Sequence, residues 1–189
     1  HRDLHSFPTR RSSDLTFEEN AYKKAHFTAK VLGFPALADD SGLEVEILGG
    51  APGVHSARYA GPQASDDENN RKLLQNLTGQ TNRKARFCCV LSLAVPTGPA
   101  LTYEAFCEGT VLEEPRGTNG FGYDPLFFYG PLAKTFAEMS LEEKSAVSHR
   151  GRALQELKNE MDRVLKWLQL RLAEEDIMRG RNGCLGEKS

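Results

Sequence analysis

From Thr16 onward, apolar residues recur at helical spacing: Phe17, Ala21, Ala25, Ala29 and Leu32 follow one another at intervals of four and three. Thr16 can cap this run with Glu19 three positions on, and Gly33 closes it, so a capped amphipathic helix is predicted. The pattern then changes. "PALADD" (35–40) reads as a short buried strand, and "GLEVEIL" as a second extended piece that ends at the glycine-rich turn "GGAPG". A helix is predicted over 65–77, with Asp66, Asp67 and Glu68 in the first turn, where the helix dipole favours acids. The β-rich runs "ARFCCVLSLAV" and "ALTYEAFCEGTVL", separated by "PTGP", predict two long antiparallel strands joined by a loop. A last large helix is predicted over about 148–172, where Leu154, Leu157, Met161, Val164, Leu165, Leu168 and Leu172 keep one stripe.

Helix, strand, hairpin and helix in this order predict a single α/β domain over 16–172, built on a central mixed sheet flanked by helices and a long antiparallel hairpin. The opening "HRDLHSFPTRRSSDL" (1–15) has no apolar period and reads as a foreign or disordered segment; residues 173–189 read as a polar, frayed tail. A length of 189 residues suits one domain. The balance of 24 basic against 26 acidic residues gives a net charge of −2, without the basic excess of many nucleic-acid binders. No run reaches the roughly 18 apolar residues of a membrane span, and no charged segment followed by an apolar run opens the chain. A soluble, cytoplasmic protein with neither nucleic acid nor membrane as partner is expected. Cys88, Cys89, Cys107 and Cys184 form no C-x-x-C pair, and no histidine stands at ligand spacing, so buried thiols in a reducing compartment are expected.

Four clusters carry candidate chemistry: "TFEENA" (16–21), "ADDSG" (38–42), "GTNGFGYDP" (117–125) and "EEKSAVSHRGRAL" (142–154). Along a strand successive side chains point to opposite faces, so at most one of Asp39 and Asp40 can look into any one pocket. Glu19 and Asp40 could reach one rim of the sheet and suit a hard cation such as Mg²⁺, although an acid in a helix's first turn, as Glu19 is, is more often a dipole or capping partner than a ligand. In "GTNGFGYDP" the glycines allow close approach to a ligand; Phe121 and Tyr123 offer flat faces for a purine and Asp124 an acceptor, or the loop simply caps the core. No G-K-[ST] follows, so it is not a Walker loop. Lys144, His149 and Arg150 gather ahead of the last helix, with Ser148 as a plausible N-cap, a natural seat for phosphate or an oxo group and otherwise a solvated basic turn.

Taken together, "TFEENAYKKA", "ADDSGLEVEILGGAPGVHSARYAG", "FGYDPLFF" and "EEKSAVSHRGRAL" closely resemble the inosine triphosphate pyrophosphatase family, over about residues 16–170. The resemblance implies Mg²⁺-dependent hydrolysis of non-standard purine nucleoside triphosphates (ITP, dITP, XTP) to the monophosphate and pyrophosphate, by a homodimer. Position by position, it implies that Asp40 is the catalytic acceptor and a metal ligand, Glu19 the second metal position, and Ser41 a substrate contact. It further implies that Phe121, Gly122, Tyr123 and Asp124 form the base-binding loop and that Lys144, His149 and Arg150 complete the nucleotide contacts. Asp40 is thus expected to face the site and Asp39 to serve structurally on the other face. The family's T-G-N-x-x-K phosphate loop has no match in residues 1–15. A catalytically impaired relative that only binds purine nucleotides is therefore the alternative expectation.

Overall fold

The computed structural model describes residues 15–183, with side chains through Glu174. Helix α1 (Phe17–Leu32) begins as its sequence predicts: the Thr16 hydroxyl accepts from the Glu19 N–H at 3.1 Å, and the Glu19 carboxylate accepts from the Thr16 N–H at 2.7 Å. Gly33, at φ 72°, ends it by donating to the Ala29 carbonyl at 2.8 Å. Its buried face is Phe17 followed by three alanines, Ala21, Ala25 and Ala29. Such small residues let a helix backbone lie close to a sheet.

The two extended pieces expected at 35–48 are one strand, β1 (Ala36–Val45), followed by a 3₁₀ turn at Glu46–Leu48. Continuity comes from pairing: β1 matches β2 (Lys84–Ala94) residue for residue, from Ala36 opposite Ala94 to Val45 opposite Ala85. Every residue between, including Ser41 and Gly42, therefore has a partner. Gly42 is needed there because a Cβ would collide with the Gly53 carbonyl and the Ser56 hydroxyl. β2 turns at residues 95–99 into β3 (Ala100–Val111), the predicted hairpin, and β4 (Phe127–Tyr129) and β5 (Lys134–Thr135) complete the order β1-β2-β3-β4-β5.

The fold is a single α/β domain, but all of the described pairings are antiparallel, which corrects the expected mixed sheet. A parallel pair needs a crossover to the opposite end of the sheet. Here the connection from β1 to β2, which carries α2 (Asp66–Asn76), leaves from Val45 and returns beside it at Ala85.

Alternation along the central strands divides the core. Cys88 and Val90 pack with Phe17 and Ala21 of α1, while Phe87, Cys89 and Leu91 point to the other face. That second face is covered by Leu73 and Leu77 at α2 and by Ala153 of α4 (His149–Asn159), which follows α3 (Leu141–Val147). The single last helix expected over 148–172 is in fact two, α4 and α5 (Met161–Gly183), separated at Glu160 (φ −99°, ψ 12°). The break keeps Val164 and Leu168 on the same apolar cluster that Ala153 and Leu157 reach. α5 also stays helical to Gly183, beyond the point where the tail was expected; Cys184 and the opening 1–14 lie outside the described residues. Cys88, Cys89 and Cys107 are buried free thiols whose burial pushes them up, Cys107 to about 11. Among the described residues no helix is long and apolar enough to cross a membrane.

Phe127 is fully buried, with ring centroids of Phe87 and Phe136 at 4.7 and 4.8 Å. Phe127→Ala is expected to destabilise the protein by about 3–5 kcal/mol in urea titration. A loss below about 1 kcal/mol would show that the aromatic cluster does not hold this half of the core.

Candidate active site

A cavity of about 370 Å³ opens between β1, the start of α2, the loop 117–124, α3 and the first turn of α4. Ser41, Phe121, Gly122, Tyr123, Asp124, Lys144, His149 and Arg150 all line it. Residues from six separate stretches of sequence thus meet at one place.

The α3–α4 junction is built by two caps. The Ser140 hydroxyl accepts from the Glu143 N–H to start α3, and the Ser148 hydroxyl accepts from the Gly151 N–H at 3.1 Å to start α4. Gly151 lets the two helices touch: a Cβ there would overlap the Ser145 carbonyl oxygen. In the first turn of α4, His149 lies 93 % buried with its ring stacked on Phe87, centroids 4.6 Å apart and planes 12° apart. Burial, reinforced by the Arg150 and Lys144 charges, pushes the imidazole down to about 3, so it is neutral at physiological pH. Its buried Nδ1 has no hydrogen-bond partner. An unpaired ring nitrogen at a cavity wall is suited to a ligand's polar edge.

The glycine-rich loop is held from below. Asn119 donates its N–H to the Ala137 carbonyl at 3.0 Å and its amide to the Met139 carbonyl at 3.2 Å. The Asp124 carboxylate accepts from the Phe121 N–H at 2.9 Å and pairs with the Lys144 ammonium. Gly117 and Gly120, at φ 84° and 79°, are required twice over, because a Cβ at either would strike Ala137 or the Asp124 carboxylate. Tyr123 turns inward and donates its hydroxyl to the Ser56 carbonyl at 2.9 Å; burial pushes its pKa up, so it stays un-ionised. Phe121 points outward, 65 % exposed, with the Lys144 ammonium 4.9 Å from its centroid. The two aromatics read alike in the sequence have different positions: Tyr123 is a wall and Phe121 a rim.

Asp39 and Asp40 face opposite ways, and neither lines the cavity itself. Asp39 shares a face with Ser41, whose hydroxyl donates to it at 3.0 Å, and pairs with Arg150 at 2.7 Å. Burial works to raise the Asp39 carboxyl, yet the Arg150 guanidinium and the Ser41 hydroxyl outweigh it and hold it below the usual carboxylate range. Asp40 lies on the α1 side, where it accepts from the Asn20 amide at 3.1 Å and the Lys24 ammonium at 2.8 Å, and it does not line the cavity. Glu19, also on α1, does not line it either. Sequence reasoning missed Phe87 and Asp66 as cavity walls: the first carries only the signal of a core strand residue, the second only that of an acid in a first turn.

The cavity is thus a slot walled by aromatic rings and edged by two cations and a glycine-rich turn, set against the sheet of an α/β domain. The chain belongs to the Ham1 family, whose model matches residues 2–160. It is 70 % identical over 182 residues to the dITP/XTP pyrophosphatase of Syntrophobacter fumaroxidans, covering 95 % of this chain and 78 % of that protein. The dITP/XTP pyrophosphatase of Desulfotalea psychrophila is 61 % identical over 159 residues, 84 % of this chain and 71 % of that one. Among solved structures, a Ham1 protein from Coxiella burnetii superposes with a TM-score of 0.77 at 44 % identity, covering 83 % of this chain and 82 % of that one. The Ham1 protein of Staphylococcus aureus gives 0.75 at 43 %, covering 80 % and 79 %.

The buried imidazole has a consequence for acid stability. An unfolded histidine protonates near 6.5, whereas His149 holds off to about 3, so as pH falls through that window the unfolded state gains a proton that the folded state refuses. Stability is therefore expected to fall by up to about 1.4 kcal/mol per pH unit between these values and to be unaffected by this group above them. His149→Gln should flatten the pH 4–6 limb of the urea-midpoint profile, and the wild-type ring should show no NMR titration above pH 5. A His149 resonance titrating near the ordinary histidine value would overturn this.

Proposed function

We propose that this chain hydrolyses non-standard purine nucleoside triphosphates, ITP, dITP and XTP, to the monophosphate and pyrophosphate, and so clears them from the cytoplasmic nucleotide pool. The observation that carries this reading is the buried, neutral His149 with its unpaired Nδ1 beside Lys144 and Arg150, in a cavity walled by Phe87 and Tyr123. The names of the relatives point the same way. A purine placed there lies against aromatic faces and meets ammonium and guanidinium donors. Hypoxanthine and xanthine offer a 6-oxo acceptor to those donors, whereas adenine would set its amino group against them and leave buried polar groups unpaired, a strong basis for rejection.

The phosphates then have to leave the cavity. The outer edge of β1 is closed towards its end, where the Leu43 N–H donates to the Ser56 hydroxyl at 2.9 Å, Glu44 bridges to Pro52 and the Val45 N–H donates to the Ala51 carbonyl at 3.1 Å; a chain of phosphates crossing it nearer Asp39–Ser41 passes from Asp39 and Ser41 on one face to Asp40 on the other. Asp40 there orients the attacking water and accepts its proton as oxygen joins the α-phosphorus and the bond to the β-phosphate oxygen breaks. Lys24, at the same carboxylate, steadies its charge. Arg150, held by Asp39, stands where the base meets the ribose phosphate.

Mg²⁺ fits this face by donor chemistry. Glu19 and Asp40 are hard oxygen donors, and Asn20, next to Glu19, is bonded to Asp40. Mg²⁺ takes most of its ligands from phosphate and water; no group of three or more candidate ligands occurs among the described residues. Glu19 and Asp40 would hold it, and when bound it supplies charge neutralisation for the departing pyrophosphate. We further propose the homodimer implied by the resemblance, which sedimentation at micromolar concentration would test.

Incubation with ITP, XTP, dITP, GTP and ATP in Mg²⁺, with pyrophosphate and orthophosphate quantified separately, is expected to give pyrophosphate from the first three and little from the last two. No product from the folded chain would sink turnover and leave nucleotide binding as the function; orthophosphate would mean cleavage at a different bond. EDTA is expected to abolish turnover and added Mg²⁺ to restore it. Asp40→Asn should lower kcat by about 10²-fold or more. Asp39→Asn, which loosens Arg150, should act mainly on KM, and equal kcat losses from both would overturn the assignment of the two carboxylates.

A further inference from the structure

The rim of the cavity has a fastening that the reaction itself does not call for. Asp66 and Asn70 stand one helical turn apart on α2, and both hold the same residue of the glycine-rich loop. The Asp66 carboxylate accepts from the Gly122 N–H at 2.6 Å, and the Asn70 amide donates to the Gly122 carbonyl at 2.9 Å. We propose that Asp66 and Asn70 are positioning residues: by gripping both main-chain polar groups of Gly122 they fix the Phe121 ring at the cavity mouth and set the affinity for the nucleotide base. The inference rests on the nucleotide reading of the cavity given above.

Three observations support it. Gly122 is at φ 61° and nothing lies within 4 Å of where its Cβ would be, so no neighbour packs against it on that side. Phe121 is 65 % exposed, and its own N–H is already bonded to Asp124. Apart from the Lys144 ammonium, 4.9 Å from its centroid, the ring is therefore placed by hydrogen bonds to the backbone at Phe121 and Gly122. Finally, the Asn70 Oδ1 is buried without a hydrogen-bond partner. An unpaired buried amide oxygen costs stability that an apolar residue would not, so fold stability does not explain an asparagine there, whereas its hold on Gly122 does.

The frame behind the grip is rigid. The Ser65–Glu68 capping box starts α2, and Asn69, facing away from the loop, accepts from the Ala60 N–H at 2.8 Å and donates to the Ala57 carbonyl at 3.3 Å. A ring held in its bound position before the ligand arrives spares the ordering cost at binding. Releasing it is expected to weaken ground state and transition state alike, which appears in KM and not in kcat.

The test compares Asp66→Ala, Asn70→Ala and the conservative Asp66→Asn, whose amide oxygen can still accept from Gly122. In steady-state ITP hydrolysis the two alanine variants are expected to raise KM by about five- to tenfold with kcat held within about twofold, and Asp66→Asn to return KM to within about twofold of wild type. A parallel arm needs no turnover: IMP affinity by calorimetry should fall by the same factor, and in a Phe121→Trp, Trp167→Phe background, where the introduced indole is the sole tryptophan, its fluorescence anisotropy should fall when either grip is removed. Unchanged KM, IMP affinity and anisotropy would overturn the inference, as would kcat and KM worsening together with a lowered melting temperature in all three variants. A wild type that binds IMP but leaves ITP intact would sink the pyrophosphatase reading alone, since the calorimetric and fluorescence arms still judge the grip. A wild type that does not bind IMP removes the inference with its base site.

Discussion

The His149 imidazole lies flat on Phe87 at 4.6 Å, and that one contact makes the apolar core and the cavity wall the same object. Phe87 is also part of the aromatic cluster with Phe127 and Phe136, on the face of the sheet that α2 and α4 cover. The ring of His149 can join this cluster only if it is uncharged, and burial in it is what keeps it so. Because His149 is the first residue of α4, seating its ring also fixes where that helix begins. Arg150 then falls opposite Asp39, and Gly151 falls against the end of α3. The site's cations are placed by packing, before any charge–charge attraction is considered.

A second constraint is the two-residue period of β1. It assigns Asp39 and Ser41 to the face that carries Arg150 and the cavity, and Asp40 to the face that carries Asn20 and Lys24. Two neighbouring carboxylates therefore live in different electrostatic surroundings separated by the thickness of one strand. In the proposed reaction a phosphate chain crossing β1 near Asp39–Ser41 brings those surroundings together again. The adjacency of the two aspartates is in this way a means of placing negative charge on both sides of a single backbone.

The remaining wall is polar in construction. Loop 117–124 buries little apolar surface apart from Tyr123 and is tied down by Asn119, Asp124, Asp66 and Asn70 through bonds to backbone groups. Such bonds are directional, so they fix the loop's shape more closely than apolar contact would, and the glycines make the shape reachable. The Lys144 ammonium couples this loop to α3, since it pairs with Asp124 and lies over the Phe121 ring. Rim and loop anchor share a residue.

Local signals were legible in the chain itself. The Thr16–Glu19 box, the Gly33 stop, the capped helix beginning at Ser65, the β2–β3 hairpin and the Ser148 cap are all set by neighbours a few residues away, so spacing and residue type announce them. Three of the four motifs supply eight candidate residues that line the cavity, whereas Glu19 of the first and Asp40 of the second stand outside it. What the chain could not announce depends on distant partners. β1 is continuous because β2 lies alongside it, the sheet is antiparallel because the β1–β2 connection returns to the end it left, and the last helix breaks at Glu160 while its apolar residues stay on one cluster. The same holds for Asp39 and Asp40: alternation says that they part, but only the packing of α1 on one face and α4 on the other decides which of them meets Arg150. Asp66, an ordinary acid of a first turn by its sequence, becomes part of the site because α2 is carried up to Gly122, fifty-six residues further along the chain.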